Sequence, residues 1–471
     1  MTGHPKPTDR QRPRPMAIPT PPDVPHHRAA ADTAAQGRLR TPLARAAALA
    51  CVGVLMAACN GGGETAASSS TAAGTMRTLA TTSTETAALA VDPVALWSNE
   101  PGGVAVALDG ADNVYTVASS NLAGGDITLT KRDSAGALLW TRSDDQTLTD
   151  RYDAATAVAA DAAGNAVVSG TVRLLDTNAD AGGLLLRFAP DGRLEWRVDL
   201  ASALTSAVKV RMDAAGNSYV LGMGVPPGGS TAVATLVKVG VDGSTVWTWR
   251  DALGIGAVTD LVWGGDGKLI AIAGSGNFPN ANGFAVIDPA TAVVSMTTNW
   301  QTRSLSDVAS DAAGVVYAVH GADCRCSMVI RYAPDGTQAW SRLEGSLLAM
   351  TQVEIGPDGQ PVVGGVVNGS GYYAAKYTAD GTLLWSNSGL STDGYLSGPM
   401  QIDRSGNVVL PTLAVRVVTL DPNGTRLGLS PVLTNGGLPS MALGTDGDPY
   451  LVGPAATTRL NSAWDGSAPP P

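Results

Sequence analysis

The stretch from Asp213 to Trp247 reads DAAGNSYVLGMGVPPGGSTAVATLVKVGVDGSTVW, and its pattern decides the fold. DAAGN precedes a run of alternating apolar residues, and Gly216 stands where a tight turn needs a positive φ. A second apolar run then leads through Asp242-Gly243 to Trp247. Two-residue alternation between turn glycines is typical of β-strands joined by hairpins.

The D-x-x-G turn recurs along the chain. Clear copies begin at Asp161, Asp213, Asp311 and Asp403, and degenerate copies begin at Asp109, Gly264, Gly356 and Gly444. The turn position holds Asp112, Gly164, Gly216, Gly267, Gly314, Gly359, Gly406 and Gly447, at spacings of 41 to 52 residues. This period suits four strands per unit. The sequence therefore predicts an all-β fold, a β-propeller of eight four-stranded blades, or seven if the copy at Gly406 does not form.

A second hairpin with a basic residue, a turn glycine and a tryptophan occurs in five units. Its copies are Lys131/Gly136/Trp140, Arg187/Gly192/Trp196, Lys238/Gly243/Trp247, Arg331/Gly336/Trp340 and Lys376/Gly381/Trp385. A two-residue turn would place the basic residue opposite the tryptophan, with its stem on the indole. We expect these tryptophans to dock neighbouring blades, and a ligand-binding aromatic ring is the alternative. Ser295 and Gly428 stand at the tryptophan position in the other two units.

The two ends of the repeat region complement each other. The last copy stops at SAWDGSAPPP without a fourth strand, while VALWSN precedes the first copy and matches LLWSN at 383–387. We expect Val94 to Ser98 to complete the last blade, with Trp97 as a sixth docking tryptophan. Such a closure leaves no free sheet edge at the junction.

The segment before the repeats has the layout of an export signal. Arg38, Arg40 and Arg45 precede an apolar run at 46–58 that is too short to span a bilayer. LMAAC at 55–59 resembles a bacterial lipobox, which implies lipidation of Cys59 and attachment to the cell envelope, with the outer membrane favoured. Ordinary signal cleavage and a membrane-retained signal are the alternatives. The predicted organisation is a signal region at 1–58, a flexible tether at 59–91, a propeller at 92–466 and a Pro-rich tail at 467–471. A start at Met16 or at a later codon, which would make the signal region over-extended, is an alternative.

The charge of the chain argues against nucleic acid as a partner. Residues 1–58 contain 8 of the 31 basic and 3 of the 41 acidic side chains, so the remainder carries a net charge of −15. An acidic surface repels polyanions. We expect a monomer that binds an unknown protein, glycan or small ligand.

The repeat resembles known families. D-x-x-G-N-x-Y-V-x-G followed by K-x-x-x-D-G-x-x-x-W resembles bacterial β-propeller repeat proteins of the SBBP type, and its second half resembles the PQQ-like repeats of quinoprotein dehydrogenases and of the β-barrel assembly lipoprotein BamB. The resemblance covers about residues 92–462 and implies the fold, but such repeats occur in proteins of many roles. A quinoprotein dehydrogenase would carry adjacent cysteines and a Glu, Asn and Asp set around Ca²⁺. This chain has Cys324-Arg325-Cys326 instead.

Few residues suit catalysis or metal binding. His320 is the single histidine after position 27, which leaves little material for a Ser-His-Asp triad or a multi-histidine site. Cys324 and Cys326 could form a structural disulfide, remain free thiols or act in redox or metal chemistry. Asp176, Asn178 and Asp180 alternate like Ca²⁺ ligands, although a solvated polar hairpin also fits. No other cofactor is predicted.

Long loops offer the best candidates for binding. If the innermost strand precedes each D-x-x-G turn, the second-to-third-strand loops share a face with the blade-to-blade connections. Binding residues on propellers come from such variable loops on a rigid frame. The predicted binding rim is Asp150, Arg151, Tyr152, Asp153, Asn277, Phe278, Asn280 and Asn282.

These observations favour a non-enzymatic envelope lipoprotein whose propeller is a binding or protein-interaction scaffold. A BamB-like outer-membrane assembly scaffold and a PQQ-dependent dehydrogenase are the alternatives.

Overall fold

The computed structural model describes residues 93–119, 125–144, 150–252, 254–274, 282–300, 305–322, 326–345, 348–367 and 371–461. Within these ranges the regular structure is entirely β-strand. The predicted signal region and tether, with Cys59, and the Pro-rich tail lie outside the described residues. The described part of the chain has no helix long and apolar enough to cross a membrane.

The strands follow one another in 32 segments. They are β1 (Ala95–Asn99), β2 (Ala105–Leu108), β3 (Val114–Ser119), β4 (Ile127–Arg132), β5 (Leu138–Ser143), β6 (Arg151–Ala160), β7 (Ala166–Leu174), β8 (Asp180–Phe188), β9 (Leu194–Asp199), β10 (Ser206–Met212), β11 (Ser218–Gly224), β12 (Val233–Val239), β13 (Thr245–Arg250), β14 (Val258–Trp263), β15 (Leu269–Ala273), β16 (Asn282–Ile287), β17 (Val294–Trp300), β18 (Leu305–Ser310), β19 (Val316–Ala322), β20 (Cys326–Tyr332), β21 (Gln338–Leu343), β22 (Leu348–Ile355), β23 (Pro361–Val367), β24 (Gly371–Tyr377), β25 (Leu383–Ser388), β26 (Gln401–Ile402), β27 (Val408–Thr412), β28 (Arg416–Leu420), β29 (Arg426–Leu429), β30 (Ser440–Leu443), β31 (Pro449–Val452) and β32 (Thr457–Leu460).

These strands form eight antiparallel four-stranded blades, which confirms the larger of the two predicted blade numbers. Blades 1 to 7 take four consecutive strands each, from β2–β5 to β26–β29. Blade 8 combines β30, β31 and β32 with the N-terminal β1, and Trp97 pairs with Arg459 across the junction. The predicted closure of the ring is therefore confirmed, with the closing strand one residue later than expected.

The hydrophobic core is divided among the interfaces between blades. Eight clusters of buried residues can be distinguished, and each joins two neighbouring blades. Leu129 of blade 1, for example, shares a cluster with Val168 and Leu186 of blade 2. A blade has no core of its own, so its stability depends on both neighbours.

The first strand of each blade is the innermost, which is the condition that the sequence-based assignment of the two faces assumed. First strands of neighbouring blades contact each other, as β6 does with β10 and β18 with β22. The face that carries the D-x-x-G turns and the third-to-fourth-strand turns is called the turn face below. The opposite face carries the second-to-third-strand loops and the connections between blades, and is called the loop face.

The D-x-x-G-N motif builds its turn with its own side chains. The Asp213 carboxylate accepts hydrogen bonds from the backbone N–H of Ala215 (3.0 Å) and Asn217 (2.8 Å), while Gly216 adopts φ +81°. Asp112 takes the same position in the first copy at φ +56°. Aspartate is one of the few residues that tolerate this conformation.

The tryptophan hairpin is not the two-residue turn that the sequence suggested. The N–H of Ala189 donates to Arg193 O, and the N–H of Gly192 donates to Ala189 O, both at 2.9 Å, which closes a three-residue turn. A bulge between Arg187 and Phe188 then restores the register, so Arg187 still lies opposite Trp196. The other four basic–tryptophan pairs have the same register.

The basic residues turn towards the adjacent strand and not onto the indole, contrary to the prediction. Lys131 Nζ lies 4.8 Å from the centre of the Tyr115 ring and 3.2 Å from the Asp109 carboxylate. Lys238 lies over Tyr219 in the same way, at 5.1 Å. In the first copy, the carboxylate of the D-x-x-G turn therefore draws the cation away from the indole.

Each of the six tryptophans reaches the next blade, where its indole N–H donates to a backbone carbonyl of the third-to-fourth-strand turn. The acceptors, at 2.9 to 3.3 Å, are Ser134 for Trp97, Pro190 for Trp140, Val241 for Trp196, Pro289 for Trp247, Ala379 for Trp340 and Pro422 for Trp385. The turn glycine packs on the ring, since a Cβ at Gly192 would lie 2.8 Å from Trp140. This contact explains why the glycine and the tryptophan recur together.

The interface between blades 4 and 5 and the interface between blades 7 and 8 lack this tryptophan contact. In blade 4 the position opposite Val286 belongs to Met296 and not to Ser295, because the turn from Asp288 to Val293 is one residue longer. In blade 7 the position that a tryptophan takes in the other blades holds Gly428. Blade 8 takes its outer strand from the other end of the chain, so it has no third-to-fourth-strand turn to receive a tryptophan.

Candidate functional site

Among the described residues, blade 2 extends further on the loop face than the other blades. Its first three strands have 10, 9 and 9 residues, against at most 8, 7 and 7 for the corresponding strands elsewhere. The additional residues lie at the start of β6 and around the β7–β8 turn. Two additional residues extend a strand by about 7 Å. We call the projecting part, residues 150–154 and 171–182, the ledge.

Ion pairs and hydrogen bonds order the ledge. Arg173 pairs with Asp180 at 2.9 Å, and Arg151 pairs with Asp150 at 3.2 Å. The Tyr152 hydroxyl donates to Asn178, which occupies the turn at φ +56°. Four of the predicted rim residues, at positions 150 to 153, therefore belong to this ledge.

The predicted calcium ligands form part of the ledge hairpin. Asn178 accepts from Tyr152 and Asp180 binds Arg173, so their oxygens serve the hairpin itself. Within the described ranges, no three His, Cys, Asp or Glu side chains are grouped so that they could hold a metal ion.

A buried ionic cluster lies beneath the ledge, between blades 1 and 2. Arg197 binds Asp144 of blade 1 and, at 2.9 Å, Asp153 of its own blade. The Asp144 and Asp153 side chains are 1 % and 3 % exposed, so one guanidinium serves two buried carboxylates. Burial, together with the nearby Asp126 carboxylate, raises the pKa of Asp153 to about 6.

The central channel is lined by polar side chains on blades 3 to 7. The innermost strand of each blade has a free edge towards the channel, and the preceding blade supplies side chains to it. Asp307 accepts from the Val353 N–H at 3.0 Å, and the Gln352 amide contacts Gly398 O and the Met400 N–H. These contacts satisfy backbone groups that a sheet edge otherwise exposes.

Charges are concentrated on one side of this channel. Lys209 and Arg211 of blade 3 lie 3.4 and 3.7 Å from Asp260 of blade 4. Burial raises the pKa of Asp307 to about 7, and burial with the nearby Asp307 raises that of Glu354 to about 8. The corresponding positions of blades 1 and 2 hold alanines, so the channel wall is charged on one side and small and neutral on the other.

The turn face carries a shallow groove of about 380 Å³ between blades 3 and 4. Tyr219 and Trp263 line it, with their ring centres 5.5 Å apart. The Lys238 ammonium donates at 3.0 Å to the carbonyl of Pro289, which also lines the groove. The groove is apolar and offers few polar groups to orient a ligand.

The remaining predicted site residues do not assemble with the ledge. Asn282, expected on the rim, lies fully buried in β16, because its side chain faces the blade interior. Asn277, Phe278, Asn280 and Cys324 lie outside the described residues. Cys326 begins β20, opposite Ala322, and His320 is completely buried in β19.

Sequence reasoning missed the ionic cluster and the channel charges. Asp144 and Arg197 are 53 positions apart in the chain and meet only because adjacent blades pack together. The channel residues did leave a signal. Lys209, Asp260, Asp307 and Gln352 each stand four residues before the start of a D-x-x-G turn, in strands that are mostly apolar.

Comparison with known proteins yields the fold. No protein-family model and no curated protein matches the sequence. BamB from Moraxella catarrhalis is similar in structure, with a TM-score of 0.52 and 14 % identity, over 78 % of this chain and 99 % of that one. The C-terminal WD40 domain of Sif2 is similar with a TM-score of 0.55 and 11 % identity, over 78 % and 98 % of the two chains. The Dos1 propeller is similar with a TM-score of 0.52 and 9 % identity, over 79 % and 94 %.

This chain is a β-propeller. At such identities the likeness extends to the fold alone, and propellers of this kind serve different roles.

Proposed function

We propose that this chain is a non-enzymatic lipoprotein of the cell envelope, whose propeller binds a partner through the ledge on the loop face. The observation that carries the proposal is that, among the described residues, the strands of blade 2 extend further on the loop face than those of the other blades. Binding residues concentrate on segments that a rigid scaffold presents to solvent. The ledge is ordered by its own ion pairs, so a partner meets a preformed surface and less ordering entropy is lost on binding.

The attachment to a membrane rests on the sequence around Cys59. A lipid on this residue would be separated from the propeller by the segment 60–91. A flexible chain of this length has a root-mean-square reach of about 30 Å. It would join the ring at β1, the outer strand of blade 8. The propeller would then stand off the membrane with its loop face accessible.

Capture from detergent-solubilised envelopes tests the proposal. The full chain is compared with a variant in which residues 174–179 are replaced by Asn-Gly, which shortens the ledge while keeping a hairpin turn. The matched control shortens the exposed 225–230 segment of blade 3 on the same face. We expect a partner that the full chain and the control retain and the ledge variant loses. Equal capture by all three would contradict the role of the ledge.

Mass spectrometry of the mature N-terminus tests the anchor separately. We expect a diacylglyceryl group on Cys59. An N-terminus without lipid would remove the anchor from the proposal and leave the ledge as the binding surface of an exported soluble protein.

An outer-membrane assembly scaffold is the second candidate, since BamB shares the fold. It predicts co-purification with an outer-membrane assembly machine. A quinone-dependent dehydrogenase would instead show a quinone absorption spectrum and quinone-dependent turnover, and either result would overturn the non-enzymatic proposal.

A further inference from the structure

A row of three side chains crosses the second, third and fourth strands of the blades near the turn face. In blades 1, 3, 5 and 8 it consists of a tyrosine, a basic residue and a tryptophan in direct register, namely Tyr115/Lys131/Trp140, Tyr219/Lys238/Trp247, Tyr317/Arg331/Trp340 and Tyr450/Arg459/Trp97. The tyrosine and tryptophan ring centres lie 5.9 to 6.1 Å apart in all four blades. Aromatic pairs at this separation attract each other beyond the area that they bury.

The phenol of this row is held by polar groups from two blades. The Tyr115 hydroxyl lies 3.1 Å from the Asp109 carboxylate of its own turn and 2.6 Å from Gly164 O of blade 2. The Lys131 ammonium lies 4.8 Å from the centre of the ring. The interface between blades 1 and 2 therefore shows how this fold holds a phenol, among an indole, a cation, a turn carboxylate and a carbonyl of the next blade.

In blade 2 a valine replaces the tyrosine, and an arginine compensates for it. Val167 lies opposite Arg187. The Arg187 guanidinium donates at 2.9 Å to Gly216 O of blade 3, which corresponds to the carbonyl that Tyr115 contacts in blade 2. The Arg187 side chain is 7 % exposed, so it fills the interface as the phenol does in blade 1.

Blade 6 has the valine without the arginine. Val362 lies opposite Lys376, and Lys376 lies opposite Trp385. The Lys376 ammonium lies 2.7 Å from the Asp358 carboxylate of its own blade. Asp358 stands two positions later in its turn than Asp109 does, yet it pairs with the lysine of the row in the same way. This row therefore combines an indole, a cation and a turn carboxylate, but its own side chains include neither a phenol nor a guanidinium.

A pocket of about 450 Å³ opens on the turn face beside this row, between blades 6 and 7. Lys376, Trp385 and Asp358 line it from blade 6, and Pro422 lines it from blade 7. The Pro422 carbonyl accepts the Trp385 indole N–H at 2.9 Å, which fixes the ring at the wall of the pocket. Apolar walls with a few convergent polar groups are typical of small-molecule sites.

We propose that this pocket binds a small phenol, which lies beside the Trp385 indole and donates its hydroxyl proton to the Asp358 carboxylate. The contacts of Tyr115 carry the proposal, because an indole, a lysine and a turn carboxylate meet at both places. The Asp358 side chain is 44 % exposed, so a ligand in the pocket can reach it. The pocket lies on the turn face, so the inference goes beyond the proposed function and does not depend on the ledge.

A phenol suits this pocket better than an aliphatic alcohol or a plain arene. Its ring can pair with the indole and lie next to the Lys376 ammonium, which an aliphatic alcohol cannot do. Its hydroxyl can form a charge-assisted hydrogen bond with a carboxylate, which a plain arene cannot do.

Titration of the full chain in detergent with p-cresol, followed by ligand-observed NMR, tests the inference. We expect saturable binding to the unmodified chain. Val362→Tyr supplies the phenol from the chain itself, so it should abolish this binding. The matched control is Val167→Tyr, which makes the same change in blade 2, where Arg187 already fills the interface, and it should bind p-cresol like the unmodified chain.

A second pair of variants gives a result even if a buried tyrosine prevents folding. Asp358→Asn removes the charge of an exposed acceptor and should weaken p-cresol binding about fivefold. Asp335→Asn changes an exposed turn-face carboxylate of blade 5 and should leave the binding unchanged. Equal binding by Asp358→Asn and the unmodified chain would overturn the role of this carboxylate.

Two further ligands test the chemistry of the site. p-Methylanisole has no hydroxyl proton to donate, so it should bind about tenfold more weakly than p-cresol. Tighter binding of N-acetyltyrosinamide than of p-cresol would assign the pocket to a tyrosine of a polypeptide and overturn the small-molecule proposal. The inference is also wrong if p-cresol does not bind saturably, if it binds equally to a folded Val362→Tyr, or if p-methylanisole binds as tightly.

Discussion

Two aspartates three positions apart differ in their chemistry because the ring buries one of them. Asp150 is exposed, and its hydrogen bond with Arg151 lowers its pKa. Asp153 lies under the ledge, where burial raises its pKa to about 6. A carboxyl whose pKa is higher in the folded state stabilises the fold while it is protonated, and this contribution is lost as the pH rises through about 6.

Asp153→Asn should therefore reduce the pH dependence of stability. We expect the Tm of the unmodified chain to rise between pH 8 and pH 5, and to rise less in Asp153→Asn. Asp150→Asn is the control, because its pKa is shifted in the opposite direction and outside this window. An unchanged slope in Asp153→Asn, measured by differential scanning calorimetry, would refute the assignment.

At the scale of elements, the contact between a tryptophan and the next turn glycine holds adjacent blades together. Trp140 packs on Gly192 and donates its indole N–H to Pro190 O at 3.0 Å. Gly192 has φ +84°, so it meets both the conformational requirement of the turn and the space requirement of the indole.

A pair of glycine substitutions separates these two requirements. Gly192→Ala and Gly359→Ala both place a Cβ at positive φ, but the former Cβ would lie 2.8 Å from Trp140 and the latter would meet nothing within 4 Å. We expect Gly192→Ala to lower the free energy of unfolding by about 1 to 2 kcal/mol more than Gly359→Ala, because the indole must move. Equal losses in urea titrations would show that the indole contact contributes nothing.

The interface between blades 7 and 8 should be the weakest in the ring, since Gly428 contributes no side chain to it. We expect the amides of β29 to exchange with solvent faster than those of β25, whose Trp385 binds the next blade. Hydrogen–deuterium exchange with mass spectrometry measures this directly. Equal or slower exchange in β29 would show that other contacts compensate.

The elements could be predicted because they repeat. Turn glycines, alternation and tryptophan spacing recur often enough to fix strand order, blade number and the closure at Trp97. The direction of Lys131 could not be predicted, because its destination Asp109 belongs to a different strand pair. Met296 was missed because a single additional turn residue shifts the register.

At the scale of the whole molecule, some carboxyl groups have raised pKa values and others have lowered ones. Together they should make the folded propeller most stable at mildly acidic pH. Asp307 and Glu354 have pKa values raised to about 7 and 8, so the stability they contribute is lost as the pH rises through those values. Hydrogen bonds to Asn113 and to neighbouring backbone N–H groups outweigh burial at Asp109 and lower its pKa. The stability that the ionised Asp109 carboxylate contributes is lost only as the pH falls below the ordinary pKa of an aspartate.

We expect the Tm to increase from pH 9 to pH 6 and to fall steeply below about pH 4. Glu354→Gln should raise the Tm at pH 9 and flatten the upper part of this curve. Glu100→Gln, at an exposed glutamate, is the control. A Tm that increases from pH 6 to pH 9 would contradict the placement of these carboxyls in the channel wall.

Part of the candidate site could be predicted from the sequence, and the rest could not. Asp150 to Asp153 were found because long loops separate the strands of blade 2 from their neighbours. The buried Asp144 and Arg197 could not be found, since a single sequence does not show which faces of two blades meet.

The central claim is that the ledge of blade 2 is the surface that binds a partner. Photo-crosslinking in growing cells tests it most directly, with a photoreactive amino acid at Thr177 on the ledge or at Thr382 on the turn face, both exposed. We predict one discrete crosslinked species from position 177 and none from position 382. A discrete species from position 382, with none from position 177, would contradict the account and move the binding surface to the opposite face.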